Sequence, residues 1–208
     1  MLILVTTPIG NLGDMPPRGI EAMKAADVVL CEDTRVTRKL TTRFGVETRL
    51  VPLHDHNEDQ MIDGILHRLT QGQTVVLVSD AGMPLISDPG YRLVRAVIGA
   101  GYSVTGVPGA NAALMALQLS GLPTDRFFFA GFAPNKTVGR KKWLEEMTVV
   151  PATLIFYESA NRLAAALRDM AEVFGDRPAS VSRELTKQFE ETRRGSLAAL
   201  AVHYQDAG

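Results

Sequence analysis

An apolar strand followed by a long loop of Ser, Asp, Gly and Pro occupies residues 74–90, with the sequence TVVLVSDAGMPLISDPG. The apolar run from Val75 to Val78 is typical of a parallel strand that is covered on both faces. Ligands of open α/β sheets bind beyond the carboxyl ends of strands, so the loop is the expected place for chemistry. Ala81 and Gly82 leave its backbone open to a close approach. A plain surface turn would have a similar composition.

Three more apolar strands end in loops of similar character, which favours the functional interpretation. These strands are Leu2 to Val5, Val28 to Cys31 and Val104 to Val107, and their loops begin TTPIGNLGD, EDTR and PGANA. Segments of helical spacing separate them, and this alternation predicts an α/β fold with a parallel sheet and helices on both faces. A composition shift at GLPTD, residues 121–125, predicts an N-terminal α/β domain at 1–120 and a second α/β domain at 121–208. In the second domain we expect strands at 127–129, 152–157 and 179–182, and helices at 162–174 and 196–204.

The composition excludes several classes of protein. The 208 residues carry a net charge of −1, so any contact with nucleic acid must come from a local patch. The single cysteine, Cys31, excludes an intramolecular disulfide and a cysteine-rich zinc site. It closes an apolar strand and is interpreted as a packed hydrophobe in a reducing cytoplasm. The N-terminus is interpreted as a first strand rather than a signal peptide, and no apolar run reaches the roughly 20 residues of a membrane span.

The common nucleotide and metal motifs are not matched. The first loop, TPIGN, lacks the G-x-G-x-x-G spacing of dinucleotide sites and the Lys-Ser/Thr of a Walker A loop. His54 and His56 flank Asp55, but the other histidines, His67 and His203, lie on separate predicted helices. We therefore favour a solvated polar loop here and predict no metal site.

Two basic segments could contact RNA. Along the predicted helix at 36–44 and just before it, like charges form one face, which fits either a solvated surface or a phosphate partner. Glu32 and Asp33 precede this helix, and Asp33 or Thr34 is a plausible N-cap. A second basic segment surrounds Gly139 and adjoins Trp143, which fits either a flexible charged loop or a site for RNA backbone and bases. The candidate RNA-binding residues are Arg35, Arg38, Lys39, Lys136, Arg140, Lys141 and Lys142.

Charged residues also follow the strands of the second domain. Glu158 ends one strand, and Arg183, Glu184 and Lys187 follow another. They could form structural ion pairs, or they could face a cleft shared with the loop of Asp80.

Taken together and in order, the motifs closely resemble the ribosomal RNA small-subunit methyltransferase I family. The motifs are TPIGNLGD, CEDTR, VSDAGMPLISDPG, VPGANA, GLPTDRFFFAGF, LIFYES and RELTKQFEE. The resemblance covers nearly the whole chain. It implies a tetrapyrrole methylase-like fold of two α/β domains, with S-adenosylmethionine in the cleft between them. It also implies 2′-O-ribose methylation of a cytidine in 16S ribosomal RNA by a cytoplasmic homodimer that acts on the small ribosomal subunit.

The resemblance implies a set of cofactor contacts, most of them through the backbone. Met83 stands where tetrapyrrole-methylating relatives usually have Asp, and Glu158 stands where they often have Met. Both differences point away from a porphyrinoid substrate. Members of the family normally continue beyond residue 208 with a further strand and a helical part, so an open sheet edge or a missing RNA-contacting element is expected. The implied cofactor-binding residues are Pro8, Asp80, Ala81, Gly82, Met83, Ile86, Asn111, Ala112, Glu158 and Leu185.

The chemistry of such a reaction needs a base, because a ribose hydroxyl is a poor nucleophile until its proton is removed. Glu158, Glu184 and Lys187 are the candidate catalytic residues. A cationic methyl donor would also favour nearby carboxylates, among which Asp80 and Glu158 are candidates. Two alternatives stay open. One is a tetrapyrrole C-methyltransferase of the uroporphyrinogen or precorrin type, and the other is a non-catalytic RNA-binding module of ribosome assembly.

Overall fold

A computed structural model of the protein describes residues 1–206, and it divides the chain into two compact units, Met1–Asn111 and the residues from Ala112 onward. The first unit alternates strands and helices, as the sequence predicts. Its elements are β1 (Leu2–Val5), α1 (Pro17–Ala25), β2 (Val28–Cys31), α2 (Thr34–Phe44), β3 (Leu50–Pro52), α3 (Glu58–Thr70), β4 (Val75–Val78), α4 (Tyr91–Gly99) and β5 (Val104–Val107).

The five strands of the first unit form one parallel sheet in the order β3-β2-β4-β1-β5. β4 lies between β1 and β2, and all four of its residues are buried. Alternation along β4 divides its side chains between two cores. Val75 and Leu77 pack with α3 and α4, whereas Val76 and Val78 pack with α1 and α2. Helices therefore cover both faces, and the predicted parallel architecture is confirmed.

The second unit begins with a helix that lies before the composition shift at 121–125. Its elements are α5 (Ala112–Ser120), β6 (Phe127–Phe132), α6 (Thr137–Glu145), β7 (Thr153–Tyr157), α7 (Ala160–Phe174), β8 (Pro178–Arg183), β9 (Glu191–Ser196) and α8 (Leu197–Asp206). α5 packs against β7, β8 and β9. The two units consequently divide between Asn111 and Ala112, nine residues before the end of the predicted domain 1–120.

Two features of the second unit differ from the sequence prediction. β9 was not predicted, because its sequence ETRRGS is polar and lacks an apolar alternation. It pairs with β8 in antiparallel register, whereas β6 and β7 are parallel. The basic segment at 136–142, considered as a flexible loop, lies mostly in α6 instead. Within the described residues, no helix combines the length and apolar character that a membrane crossing requires.

Candidate functional site

Parallel strands bring the loops after β1, β4 and β5 to the same edge of the first unit's sheet. Two of these loops are joined by a pair of backbone hydrogen bonds. The N–H of Thr7 donates to the carbonyl oxygen of Gly82 at 2.9 Å, and the N–H of Gly82 donates to that of Thr7 at 3.1 Å. The loop of Gly82 is therefore fixed directly against the first loop.

Two buried hydroxyl groups also stabilise the contact between these loops. Thr7 Oγ1 donates to the carbonyl oxygen of Ser79 at 3.1 Å, and Ser79 Oγ donates to that of Gly82 at 2.9 Å. Both side chains are almost completely buried. Sequence reasoning missed these two residues as part of the site. The available signal was that each hydroxyl residue follows an apolar strand. Buried backbone groups at the start of a loop need hydrogen-bond partners, which a hydroxyl group can provide.

A side chain at Gly82 would be strained and in tight contact with its neighbours. Its φ of +85° is in the left-handed region, and an added Cβ would lie 3.3 Å from Ile9 Cγ2 and 3.6 Å from the carbonyl oxygen of Ala110. The neighbouring Met83 is also held, because Asn111 Nδ2 lies 3.3 Å from its sulfur. The structure thus brings together predicted cofactor residues from the loops after β4 and β5.

The remaining predicted residues of the first unit occupy different environments. Pro8 is buried next to Thr7, whereas Ala81 and Ile86 are exposed. Asp80 is half-buried, and its Oδ1 accepts a hydrogen bond from the N–H of Asp33 at 3.2 Å. This contact links the loop after β4 to the start of α2.

The loop after β4 also contains backbone strain. Leu85 and Ser87 have φ values of 72° and 66°, a region that residues other than glycine rarely adopt. Such conformations persist only where the surrounding structure enforces them, and they concentrate at ligand sites.

Carboxylates from three loops lie near one another at this edge of the sheet. Burial, together with the charges of Glu32, Asp80 and Asp55, raises the pKa of Asp88 to about 6. Burial, together with the charges of Asp80, Asp55 and Asp33, also raises the pKa of Glu32. Negative charge of this kind favours a cationic ligand. Among residues 1–206, no group of three or more His, Cys, Asp or Glu side chains is arranged to hold a metal ion.

The start of α2 confirms that Asp33 is an N-cap, whereas RNA binding by the basic residues of this helix stays a prediction. Asp33 is the N-cap, since its carboxylate accepts a hydrogen bond from the N–H of Arg35 at 2.8 Å. Arg35 Nη2 lies 2.6 Å from the same carboxylate, although its side chain remains 88% exposed. Arg38 and Lys39 are exposed on the next turn. Cys31 is buried, as expected of a packed hydrophobe, and burial raises the pKa of its thiol.

In the second unit, Glu158 follows β7 and is held by the first turn of α7. Its side chain is 6% exposed. Oε1 accepts a hydrogen bond from the N–H of Ser159 at 2.7 Å and lies 2.6 Å from Nη2 of Arg162. Oε2 is buried and has no hydrogen-bond partner within the described residues. Arg162 was missed by sequence reasoning, although its spacing of four residues from Glu158 was the signal.

The other two candidate catalytic residues form an ion pair with each other. Lys187 Nζ lies 2.9 Å from Glu184 Oε1, and both side chains are 44% exposed. Between them, Leu185 is buried. Glu184 and Thr186 have φ values of 50° and 66°, so this loop is strained on either side of Leu185. Ala112 lies at the beginning of α5.

One predicted RNA-binding residue is not at the surface. The Arg140 side chain is 2% exposed and pairs with Asp169, so the structure corrects its assignment to an RNA surface. α6 turns this guanidinium inward, where Pro134 and Asn135 also accept hydrogen bonds from it. Trp143, suggested for base stacking, packs edge-on against Phe156 with ring centroids 5.8 Å apart. Lys136 and Lys142 are exposed, and the half-buried Lys141 pairs with Glu172.

The sequence matches the family of Tetrapyrrole (Corrin/Porphyrin) Methylases over residues 1–201. Among similar proteins is a ribosomal RNA small subunit methyltransferase I from Mesorhizobium japonicum, 52% identical over 99% of this chain and 70% of that protein. Proteins of the same name from Xylella fastidiosa and Halalkalibacterium halodurans are 50% and 51% identical over 96% and 98% of this chain. Those matches cover 73% and 70% of the two relatives.

Solved structures confirm the fold at lower identity. A uroporphyrin-III C-methyltransferase from Thermus thermophilus in complex with S-adenosyl homocysteine has a TM-score of 0.65 at 19% identity, over 98% of this chain and 90% of that chain. A cobalt precorrin-4 methyltransferase has a TM-score of 0.70 at 17% identity, over 100% and 90% of the two chains. The chain belongs to the tetrapyrrole methylase family and, within it, to the family of ribosomal RNA small subunit methyltransferase I.

Proposed function

We propose that this protein transfers a methyl group from S-adenosylmethionine to the ribose 2′-oxygen of a cytidine in 16S ribosomal RNA. The observation that carries the proposal is about 50% identity, over nearly the whole chain, to three proteins named ribosomal RNA small subunit methyltransferase I. The two tetrapyrrole methyltransferase structures described above are 17% and 19% identical to this chain, and a shared fold does not specify a substrate.

The first unit has properties that suit the proposed cofactor. Gly82 adopts a φ of +85° that residues with a side chain rarely take, and we propose that this conformation shapes the backbone of the loop for the cofactor. The carboxylates around Asp80 and Asp88 provide negative charge for a sulfonium group. S-adenosylmethionine supplies an electrophilic methyl group. We propose that the residues that hold it are Pro8, Asp80, Ala81, Gly82, Met83, Ile86, Asn111, Ala112, Glu158 and Leu185.

Among the three candidate catalytic residues, Glu158 is best suited to accept the proton of the ribose hydroxyl. Its Oε2 is buried without a donor, whereas Oε1 is fixed by Ser159 and Arg162. Lys187 already donates to Glu184. We therefore assign the base to Glu158 and assign Glu184 and Lys187 to binding of the RNA near the acceptor ribose. The acceptor O2′ would take the methyl group and lose its proton to Oε2, while the electron pair of the broken methyl–sulfur bond would remain on the sulfur of the donor.

For binding of the RNA backbone we propose the exposed cations of α2 and α6. Neutralisation of phosphates releases counterions, so each lost contact should reduce the salt dependence of binding. Arg140 is left out of this surface because it is buried. The set comprises Arg35, Arg38, Lys39, Lys136 and Lys142, with Lys141 as a further contributor.

The test is transfer of a labelled methyl group from S-adenosylmethionine to small ribosomal subunits that lack the modification. Naked ribosomal RNA and a porphyrinogen serve as parallel acceptors. Label on a ribose oxygen of the RNA supports the proposal. Label on the porphyrinogen alone would support the tetrapyrrole alternative, and tight RNA binding without label on any acceptor would support the assembly module.

The partners and location follow from the same proposal. We propose that the protein acts as a homodimer on the small ribosomal subunit in the cytoplasm. Sedimentation of the isolated protein measures the oligomeric state. Co-sedimentation with small subunits, compared with naked RNA, measures the preferred partner.

A further inference from the structure

The loop after β4 is fixed at both ends, and different partners fix each end. Near its beginning, a pair of backbone hydrogen bonds joins Gly82 to Thr7. Its last residues lead directly into α4. The strained residues Leu85 and Ser87 lie between the two ends. Because such backbone persists only where the surrounding structure enforces it, the contacts at the α4 end are as important as those with Thr7.

A carboxylate from another helix caps the first turn of α4. The N-cap residue of α4 is Gly90, which has no side chain to accept a hydrogen bond. Glu58, the first residue of α3, supplies the acceptor, since its Oε1 accepts a hydrogen bond from the N–H of Leu93 at 2.8 Å. The Glu58 side chain is only 3% exposed, and a carboxylate removed from water needs such partners. The start of α4 is therefore fixed to the start of α3.

The guanidinium group of Arg92, in the first turn of α4, contacts three different acceptors through its three nitrogens. Nη2 donates to the carbonyl oxygen of Asp55 at 2.7 Å, Nη1 lies 2.7 Å from Oδ2 of Asp59, and Nε lies 3.4 Å from Oε2 of Glu58. A planar guanidinium holds such a set of acceptors in a fixed arrangement, which the single ammonium group of lysine cannot reproduce. Asp55 belongs to the loop after β3, so Arg92 connects that loop to the end of the loop after β4.

The loop after β3 is itself closed by hydrogen bonds of Asn57. Its Oδ1 accepts a hydrogen bond from the N–H of His54 at 2.8 Å, and its Nδ2 donates to the carbonyl oxygen of Pro52 at 3.1 Å. The N–H of Asn57 donates to the carbonyl oxygen of His54 at 3.0 Å. Arg92 therefore attaches the end of the loop after β4 to a segment that has its own supporting hydrogen bonds.

We propose that Arg92 and Glu58 are positioning residues for cofactor binding. They fix the end of the loop after β4, as Thr7 fixes its beginning, and they hold the strained backbone between these ends in the conformation that binds S-adenosylmethionine. Both act through the loop and not by touching the cofactor. The inference rests on the proposed function, because it takes this loop as part of the cofactor site.

Substitution of Arg92 tests the role through cofactor affinity. Arg92→Met removes all three polar contacts, so only a fraction of the molecules should hold the loop in the binding conformation. We expect the Kd for S-adenosylmethionine, measured by calorimetry on the folded variant, to rise about tenfold or more. The KM for the cofactor should rise in parallel, whereas the single-turnover rate at saturating cofactor should stay within about threefold of the wild type. Arg92→Lys should give an intermediate Kd.

Glu58→Gln tests the second positioning residue. The amide oxygen can still accept the hydrogen bond from the N–H of Leu93, but the negative charge opposite Arg92 is lost. We expect a smaller rise in the Kd for S-adenosylmethionine than Arg92→Met causes. Should Arg92→Met fail to fold, Glu58→Gln and Arg92→Lys provide the same test.

Two matched controls separate the positioning role from a general effect of lost charge. Arg95 is exposed on the same helix, so Arg95→Met should leave the Kd unchanged. Asp59 is 67% exposed, and a surface ion pair contributes little, so Asp59→Asn should also leave it unchanged. Hydrogen exchange of the cofactor-free protein reports on the loop directly. In Arg92→Met, the amides of residues 85–88 should exchange faster than in the wild type, whereas the amide of Gly82 should not.

The possible results distinguish this inference from the proposed function. Equal affinity of Arg92→Met and the wild type for S-adenosylmethionine would overturn the positioning role and leave the proposed function intact. An unchanged KM with a large fall in the single-turnover rate would also overturn it, by placing Arg92 in the chemistry of transfer. A wild-type protein that binds no S-adenosylmethionine would overturn the proposed cofactor and the positioning role together.

Discussion

The guanidinium of Arg140 and the carboxylate of Asp169 form an ion pair inside the second unit, with Nη2 and Oδ2 2.6 Å apart and side-chain exposures of 2% and 8%. Nε of Arg140 donates to the same oxygen at 2.7 Å. Two charges removed from water are stable here because each compensates the other. The pair therefore connects α6 to α7 as part of the core.

Replacing one residue of the Arg140–Asp169 pair should strongly reduce the free energy of unfolding, whereas replacing both should reduce it much less. Arg140→Met leaves the Asp169 carboxylate buried without its main partner, and we expect the free energy of unfolding to fall by about 3–5 kcal/mol. The double variant Arg140→Met with Asp169→Leu should recover most of this loss. Urea unfolding of the three proteins measures the effect. The affinity of the double variant for RNA should match that of the wild type. A clear loss of affinity would mean that Arg140 contributes to RNA binding after all.

The conformation of Gly82 should matter for cofactor binding more than for stability. Gly82→Ala places a Cβ at φ +85° and 3.3 Å from Ile9, so we expect a rise of at least tenfold in the Kd for S-adenosylmethionine, measured by calorimetry. Gly72→Ala is the control, because Gly72 has a φ of +75° with no atom within 4 Å of the added Cβ. Both variants should lose about 1 kcal/mol of stability. If both bind the cofactor like the wild type, Gly82 is not at the cofactor site.

Asp88 should make stability depend on pH. Its folded pKa of about 6 lies above the unfolded value of about 4. The folded state therefore binds this proton more tightly, and the resulting stability is complete below about pH 4 and is lost as the pH rises through 6. Asp88→Asn should thus match the wild type at pH 4 and be more stable at pH 7.5, by about 1 kcal/mol once screening by solvent is allowed for.

Unfolding by urea at several pH values tests the Asp88 prediction. Asp63→Asn, at an exposed position of α3, is the reference variant with a carboxylate removed elsewhere in the first unit. A uniform stability difference between Asp88→Asn and the wild type from pH 4 to pH 7.5 would contradict the assigned titration.

The contacts of Glu158 suggest different roles for two residues: Glu158 accepts the proton, and Arg162 positions the Glu158 carboxylate. Glu158→Gln keeps the size and removes the charge, so we expect a fall of about 10²–10⁴-fold in the single-turnover rate of methyl transfer. Arg162→Gln should give a smaller loss, because Oε1 loses the cation that fixes the position of the carboxylate. Arg162→Lys should restore much of the rate. Glu146→Gln, on the exposed side of the second unit, is the matched control.

The first unit was predictable because strand periodicity, loop composition and chain order agree there. The run Val75 to Val78 indicated a strand covered on both faces, and the structure places its alternating residues in two cores. The position of Gly82 in a loop after β4 followed from the same logic. The hydrogen bonds made by the Thr7 and Ser79 hydroxyl groups could not be predicted, because they depend on a long-range contact between two loops.

The second unit was harder to predict because polar sequences there serve structural roles. β9 contains two arginines and a glutamate and forms a strand through its pairing with β8. Arg140 resembles its basic neighbours in sequence, but α6 directs it toward Asp169, 29 residues further along the chain. Only the folded partner distinguishes a buried cation from one that is free to bind phosphate.

The left-handed backbone at Leu85, Ser87, Glu184 and Thr186 has a consequence for laboratory evolution. Selection for heat resistance alone should favour glycine or asparagine at these positions, since both tolerate such φ values and relieve strain of about 1–3 kcal/mol per residue. The same changes would loosen two loops that we assign to ligand binding. Heat-resistant variants found in this way should therefore be slower methyltransferases. The gain in stability from substitutions at the four positions measures the stability that the native sequence forgoes at its strained loops.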